Sequence, residues 1–89
     1  MIKTITRMTR FKKDYKLAVK QGKDITKLKN ILLLLVNEQE LPLKYKDHWL
    51  INYDNCRECH IEPDWLLIYK IIDSELFLVR LGSHSELFN

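Results

Sequence analysis

Cys56, Cys59 and His60 stand in the order C-x-x-C-H within "CRECH", the spacing by which a c-type haem is held through two thioether bonds and an axial imidazole. That chemistry needs both thiols on one face, as positions i and i+3 are on a helix. The surrounding residues read instead as a strand. Cys56, Glu58 and His60 then point one way and Arg57, Cys59 and Ile61 the other, so the thiols diverge. A structural zinc site asks for four ligands, commonly from two paired clusters, and a thioredoxin-type pair asks for a helix start after a strand. The stretch supplies neither. "MIKTITRMTRFKK" is basic but has no apolar stretch or small-residue cleavage site, so no secretory signal is read. The expectation is a reducing cytoplasm and two packed, free thiols.

Acid–base work at phosphorus is the other chemistry within reach. His48, His60 and His84 all lie in the second half of the chain, with Asp64 beside Trp65, and with Arg57, Arg80 and Phe88. In an extended last strand Arg80 and His84 share parity and point to one face. RNA is cut without a metal when a base takes the ribose 2′-OH proton, an acid protonates the leaving 5′-oxygen, and a cation answers the charge at phosphorus. Histidine suits the first two tasks and arginine the third, while Trp65 and Phe88 would stack on unpaired bases. Plainer accounts stand beside this one. Histidines at strand ends are commonly surface or hydrogen-bonded residues, Trp65 and Phe88 fit a core, Asp64 after Pro63 fits a turn, and the arginines fit ion pairs with Glu58 and Glu62. On composition and spacing alone, RNA cleavage is the minority reading.

The elements that must position these residues are legible. "MIKTIT" suits a short strand. Met8, Phe11, Tyr15, Ala18 and Val19 recur at helical spacing, with Gly22 placed to end the helix. Asp24 caps a second helix through Ile25, Leu28, Ile31, Leu32 and Leu35 to about Asn37. After Pro42, four segments, "WLINY", "CRECHIE", "WLLIYKII" and "ELFLVRL", read as an antiparallel meander. "WLLIYKII" is apolar on both parities and predicts a central strand covered on both faces, the two helices forming one cover. The reading is one α+β domain over residues 1–89, in the order β-α-α-β-β-β-β.

At 89 residues, 46% hydrophobic and 30% charged, the chain has the composition of one folded domain and not of a disordered tail. Its longest apolar run, Ile31 to Val36, is far short of the roughly 20 residues of a membrane span. Net charge is +3, unevenly spread: residues 1–30 carry ten lysines and arginines against Asp14 and Asp24, a net of +8, leaving −5 for the rest. A basic face of that density draws phosphates or an acidic protein segment, or is simply a solvated helix surface.

Three blocks in order, "YKDHWL", "CRECHIEPDWLLIYKI" and "LVRLGSHSELF", strongly resemble the YafQ-like branch of the RelE/ParE toxin superfamily, and the N-terminal helices agree in order and length. The resemblance implies a RelE-like fold: an antiparallel sheet packed on two N-terminal helices. It implies a bacterial toxin that cleaves mRNA, usually on the ribosome, without metal or other cofactor, leaving a 2′,3′-cyclic phosphate and a 5′-hydroxyl. The implied partners are mRNA, a cognate antitoxin and, through the antitoxin complex alone, operator DNA; the implied setting is cytoplasmic, with no membrane. By motif position, Asp64 is implied as general base and His84 as general acid, with His48 and His60 supporting the phosphate. Arg80 is implied at the scissile phosphate, Arg57 at a recurrent arginine position, and Trp65 and Phe88 at positions that matter for activity. One departure is that "LINYDNC" places Asn52 where the family usually has glycine; Asn tolerates a left-handed backbone, so the turn is expected to survive. Two other readings remain: a ParE-like toxin that acts on DNA gyrase, and a non-catalytic RNA-binding or operon-regulating module.

Overall fold

A computed structural model describes residues 1–88. The elements run β1 (Thr4–Arg7), α1 (Thr9–Lys20), α2 (Ile25–Val36), one turn of 3-10 helix (Leu43–Tyr45), β2 (His48–Trp49), β3 (Arg57–Glu62), β4 (Trp65–Ile72), β5 (Glu75–Gly82) and α3 (His84–Phe88). No helix among them is long and apolar enough to cross a membrane.

The helix ends follow from local chemistry. Gly22 takes φ 76°, the Lys23 amide donates to the Ala18 carbonyl and the Gly22 amide to that of Val19. This is the Schellman pattern that only a left-handed residue permits. Asp24 caps α2 by accepting from the Thr26 amide. Phe11, Ala18, Leu28, Ile31 and Leu35 are buried as their spacing predicts. Met8 and Val19 are not: they are 39% and 52% exposed, because they lie off the stripe that meets the sheet.

The sheet order is β1-β5-β4-β3-β2. β2 to β5 form the expected antiparallel meander. β1 departs from a wholly antiparallel sheet, pairing in parallel with β5 through Thr4↔Glu75 to Arg7↔Leu78. The meander leaves the outer edge of β5 open, and a strand entering there delivers α1 directly across one face. The β4–β5 connection is two residues, Asp73 and Ser74, both with positive φ (50° and 66°), the type I′ geometry that matches strand twist. "WLINY" does not form a strand. Pairing stops at Trp49, since Asn52 (φ 72°) and Asn55 (φ 55°) turn the chain left-handed and the Leu50 amide closes the loop on the Cys56 carbonyl at 3.0 Å.

β4 is the central strand, and both its faces are covered. Trp65, Leu67 and Tyr69 pack under α1 and α2, while Leu66 and Ile68 meet Cys56 and Leu87 on the other face. Cys59 belongs to the first core and Cys56 to the second, so the two thiols lie on opposite faces and cannot hold one porphyrin. Burial pushes the Cys59 thiol up to about 12, which leaves it a packing group.

Candidate active site

The period of two along β3 decides which residues reach the face away from the helices. Glu58 lies opposite Ile68 and His60 opposite Leu66, and His48 pairs with Glu58 across β2. His48, Glu58 and His60 therefore share one face by backbone register alone.

His84 arrives from a different element. The chain leaves the sheet at Gly82, and a capping box fixes the turn that follows: Glu86 accepts from the Ser83 amide at 2.8 Å and Ser83 Oγ accepts from the Glu86 amide at 3.2 Å. His84 thus begins a helix and does not extend β5, which overturns its strand parity with Arg80. Gly82 permits the close approach of α3, since a Cβ there would stand 2.9 Å from Glu86 Oε1 and 3.3 Å from Leu87 Cδ2. Asp64, in the two-residue turn between β3 and β4, accepts from the His84 amide at 2.9 Å and from His84 Nδ1 at 2.8 Å through one oxygen, Oδ1. The backbone and ring bonds from His84 hold the Asp64 carboxyl below its ordinary range. Asp64 thus stands behind His84, one oxygen holding both its amide and its ring.

All three imidazoles are pinned through Nδ1. His48 Nδ1 meets the Lys46 carbonyl at 2.6 Å and His60 Nδ1 meets the Pro63 carbonyl at 3.3 Å. A carbonyl only accepts, so each of these nitrogens carries the proton, and Nε2 is left as the working atom. His48 Nε2 lies 3.3 Å and His60 Nε2 3.7 Å from Glu58 Oε1. Both ring nitrogens thus face the same carboxylate oxygen. Glu58 is 4% exposed, and among the described residues its Oε2 has no hydrogen-bond partner. A buried carboxylate in that condition calls for a positive charge beside it. One nitrogen each of His60 and His84 and one oxygen of Glu58 lie within 4.8 Å of one another. Two nitrogens and an oxygen also suit a zinc or copper ion, so the cluster has the donors for a cation, a capacity that a reading expecting no metal did not foresee.

The rings form a row: His48 to His60 6.2 Å, His60 to His84 5.6 Å, His84 to Phe88 6.3 Å and Phe88 to Tyr53 6.3 Å between centroids. Phe88 is 45% exposed and available to a base. Trp65 is not: at 1% exposure it is a core side chain, with Lys23 Nζ 5.9 Å from its ring centroid. Its expected stacking role is corrected accordingly. Arg80 is bound by Asp14 of α1, Nε to Oδ2 at 2.7 Å, and the same oxygen accepts from the Leu81 amide at 2.9 Å. α1 thereby closes the part of the β5 edge that β1 leaves free, and the Arg80 guanidinium is held in that junction by Asp14. Arg57 lies on the helix-side parity, bonded to Asp47 and stacked on Trp49 at 4.6 Å, across the sheet from His60. Asp47 also accepts from the Tyr69 hydroxyl at 2.5 Å.

Glu58 and Tyr53 are the members that the sequence did not single out. The alternation that puts Glu58 on the His60 side was visible; the Tyr53 to Phe88 contact, joining a loop to α3, was not.

A sequence profile of the family described as "Bacterial toxin of type II toxin-antitoxin system, YafQ" matches residues 3–89. Proteins named mRNA interferase toxin YafQ from two Escherichia coli strains are 49% and 48% identical over 80 residues, 88% of this chain and 87% of theirs. The toxin chain in a crystal structure of the Escherichia coli DinJ-YafQ toxin-antitoxin complex superposes with a TM-score of 0.92 at 43% identity, covering 100% of both chains. A metal-bound toxin from Helicobacter pylori superposes at 0.92 with 49% identity, covering 99% of this chain and 100% of that one. The chain belongs to the YafQ family of bacterial type II toxin-antitoxin toxins.

Proposed function

We propose that the protein is a ribonuclease toxin that cuts mRNA by 2′-OH attack, leaving a 2′,3′-cyclic phosphate and a 5′-hydroxyl, on the ribosome, and that a cognate antitoxin silences it. The observation that carries the reading is the convergence of pinned imidazoles on one buried carboxylate, Glu58. His60, its Nδ1–H on a carbonyl, offers a neutral Nε2 lone pair to take the 2′-OH proton. His84, backed by Asp64, is suited to carry a proton on Nε2 and pass it to the leaving 5′-oxygen, because a carboxylate on Nδ1–H stabilises the imidazolium. His48, beside Glu58, is placed to hold the phosphate through an Nε2–H, and Phe88 stacks on a neighbouring base. Asp64 thus takes the positioning role in place of the base role that the resemblance implied.

The relatives support this reading by name: two are mRNA interferases, and a structural relative is a toxin in complex with its antitoxin. The test is cleavage of mRNA with and without ribosomes by wild type and His84→Ala, with the product ends identified. Cleavage that disappears in His84→Ala and leaves cyclic phosphate ends is expected. Cleavage by His84→Ala at the wild-type rate, or inhibition of gyrase supercoiling in its place, overturns the reading.

A further inference from the structure

The segment before β2 does more than hold His48. Leu43–Tyr45 make one turn of 3-10 helix, ended by Lys46 at φ 50°. That left-handed residue aims its carbonyl at His48 Nδ1 and leaves its own side chain exposed. With α2 and the β3–β4 turn, the segment walls a cleft of about 500 Å³, inside the roughly 300–1,000 Å³ of small-ligand sites.

Lys27 of α2 and Lys44 and Lys46 of this segment line the cleft, together with Asn30, Tyr45 and His60. Glu62, also in the wall, answers only one of these charges, holding Lys27 at 2.8 Å. Lys44 Nζ rests 5.1 Å from the centroid of the Tyr45 ring, and Lys46 makes no salt bridge among the described residues. Two lysines without a carboxylate partner among the described residues thus line a nucleotide-sized space, one wall of which is an imidazole of the ring cluster. A strand seated there passes directly along that cluster.

We infer that this cleft is an RNA subsite, holding the nucleotide adjacent to the scissile phosphate with its own phosphate on Lys44 and Lys46 and its base edge toward the Asn30 amide. The inference rests on the ribonuclease reading, since His60 joins the cleft to the reacting centre. The sequence singled out the basic residues of the first 30 positions; Lys44 and Lys46 lie outside them, in the net-acidic part of the chain.

The experiment uses a single-stranded 2′-O-methyl decamer, which lacks the attacking hydroxyl, and measures its affinity by fluorescence anisotropy over a range of salt. The variant Lys44→Gln/Lys46→Gln keeps both stems and removes both charges. It should flatten the slope of log affinity against log salt by about 1.4, that is about 0.7 for each single-strand phosphate contact. Its cleavage should fall about tenfold in kcat/KM, mainly through KM. His84→Ala should do the reverse, losing cleavage with the slope unchanged. A slope unchanged in the lysine variant overturns the subsite, as does an equal flattening by Lys12→Gln/Lys13→Gln on exposed α1 positions outside the cleft. Wild-type cleavage by His84→Ala overturns the ribonuclease reading instead, so the two failures are told apart.

Discussion

Gly82→Ala tests whether the active site depends on how closely a five-residue helix rests on the sheet. The added methyl would meet Glu86 Oε1 at 2.9 Å and Leu87 Cδ2 at 3.3 Å, against the roughly 3.5–4.0 Å at which non-bonded carbon contacts are most favourable. Glu86 cannot swing aside freely, because Oε1 holds the Ser83 amide that starts α3. The helix must therefore lift by about half an ångström. Overpacking of this kind costs about 1–3 kcal/mol, a fall of several degrees in the unfolding midpoint for a domain of this size. His84 and Phe88 move with the helix. A misplacement of about 1 Å lowers a rate about a hundredfold, so half that shift is expected to lower single-turnover cleavage about tenfold. Urea unfolding and cleavage under enzyme excess measure the two effects. Glu86→Ala alone loses the capping box, about 0.5–2 kcal/mol. In the Gly82→Ala background it should cost less, since it also relieves the clash. Wild-type stability and rate in Gly82→Ala would refute the claim that α3 is held by close approach.

Asp64→Asn should slow cleavage by about tenfold or more while the unfolding midpoint stays near wild type, because the charge behind His84 is lost from an exposed side chain that keeps its size; rate and melting measured together check it. The sign of the pH dependence follows from the depressed carboxyls of Asp64 and Glu86. Their anchoring of His84 and of α3 is fully present above the ordinary carboxylate range and is lost only as pH falls through the lowered values, so NMR should show α3 releasing in acid and never on the alkaline side. Trp65→Phe should destabilise the fold by about 1–3 kcal/mol and leave the oligonucleotide affinity of the folded fraction unchanged, since Trp65 is buried. Cys56 and Cys59 should resist iodoacetamide in the native protein and react on unfolding, as both are buried with raised pKa values; mass spectrometry reads the difference.

The residues that the sequence placed well are those governed by local periodicity. Alternation along "CRECHIE" separated Cys56 from Cys59 and put His60 with Glu58, and the same alternation put Arg57 on the far side. The tolerance of asparagine for a left-handed backbone anticipated Asn52. What the sequence concealed depends on partners far along the chain. Arg80 was an open cation until Asp14, 66 residues away, closed on it. Trp65 was a stacking candidate until two helices covered it. His84, just past the last strand, was given that strand's parity as if the strand ran on, whereas the Ser83–Glu86 cap, a local signal also present in the sequence, starts a helix there. The parallel seat of β1 had no local signal, since it depends on which sheet edge the meander leaves open.

The parallel pairing of β1 with β5 sets an order of events during synthesis. Residues 4–7 are made some 70 residues before their neighbour in the sheet, residues 75–78. Until then the first strand has no place in the sheet. His48, Glu58 and His60 can be brought together by the β2–β3–β4 meander while the chain is still growing. His84 and Phe88 come later still, and with them the proposed proton donor and stacking ring. On the proposed mechanism, a chain stalled or truncated before residue 84 therefore holds half a reaction centre and is expected to leave messages uncut.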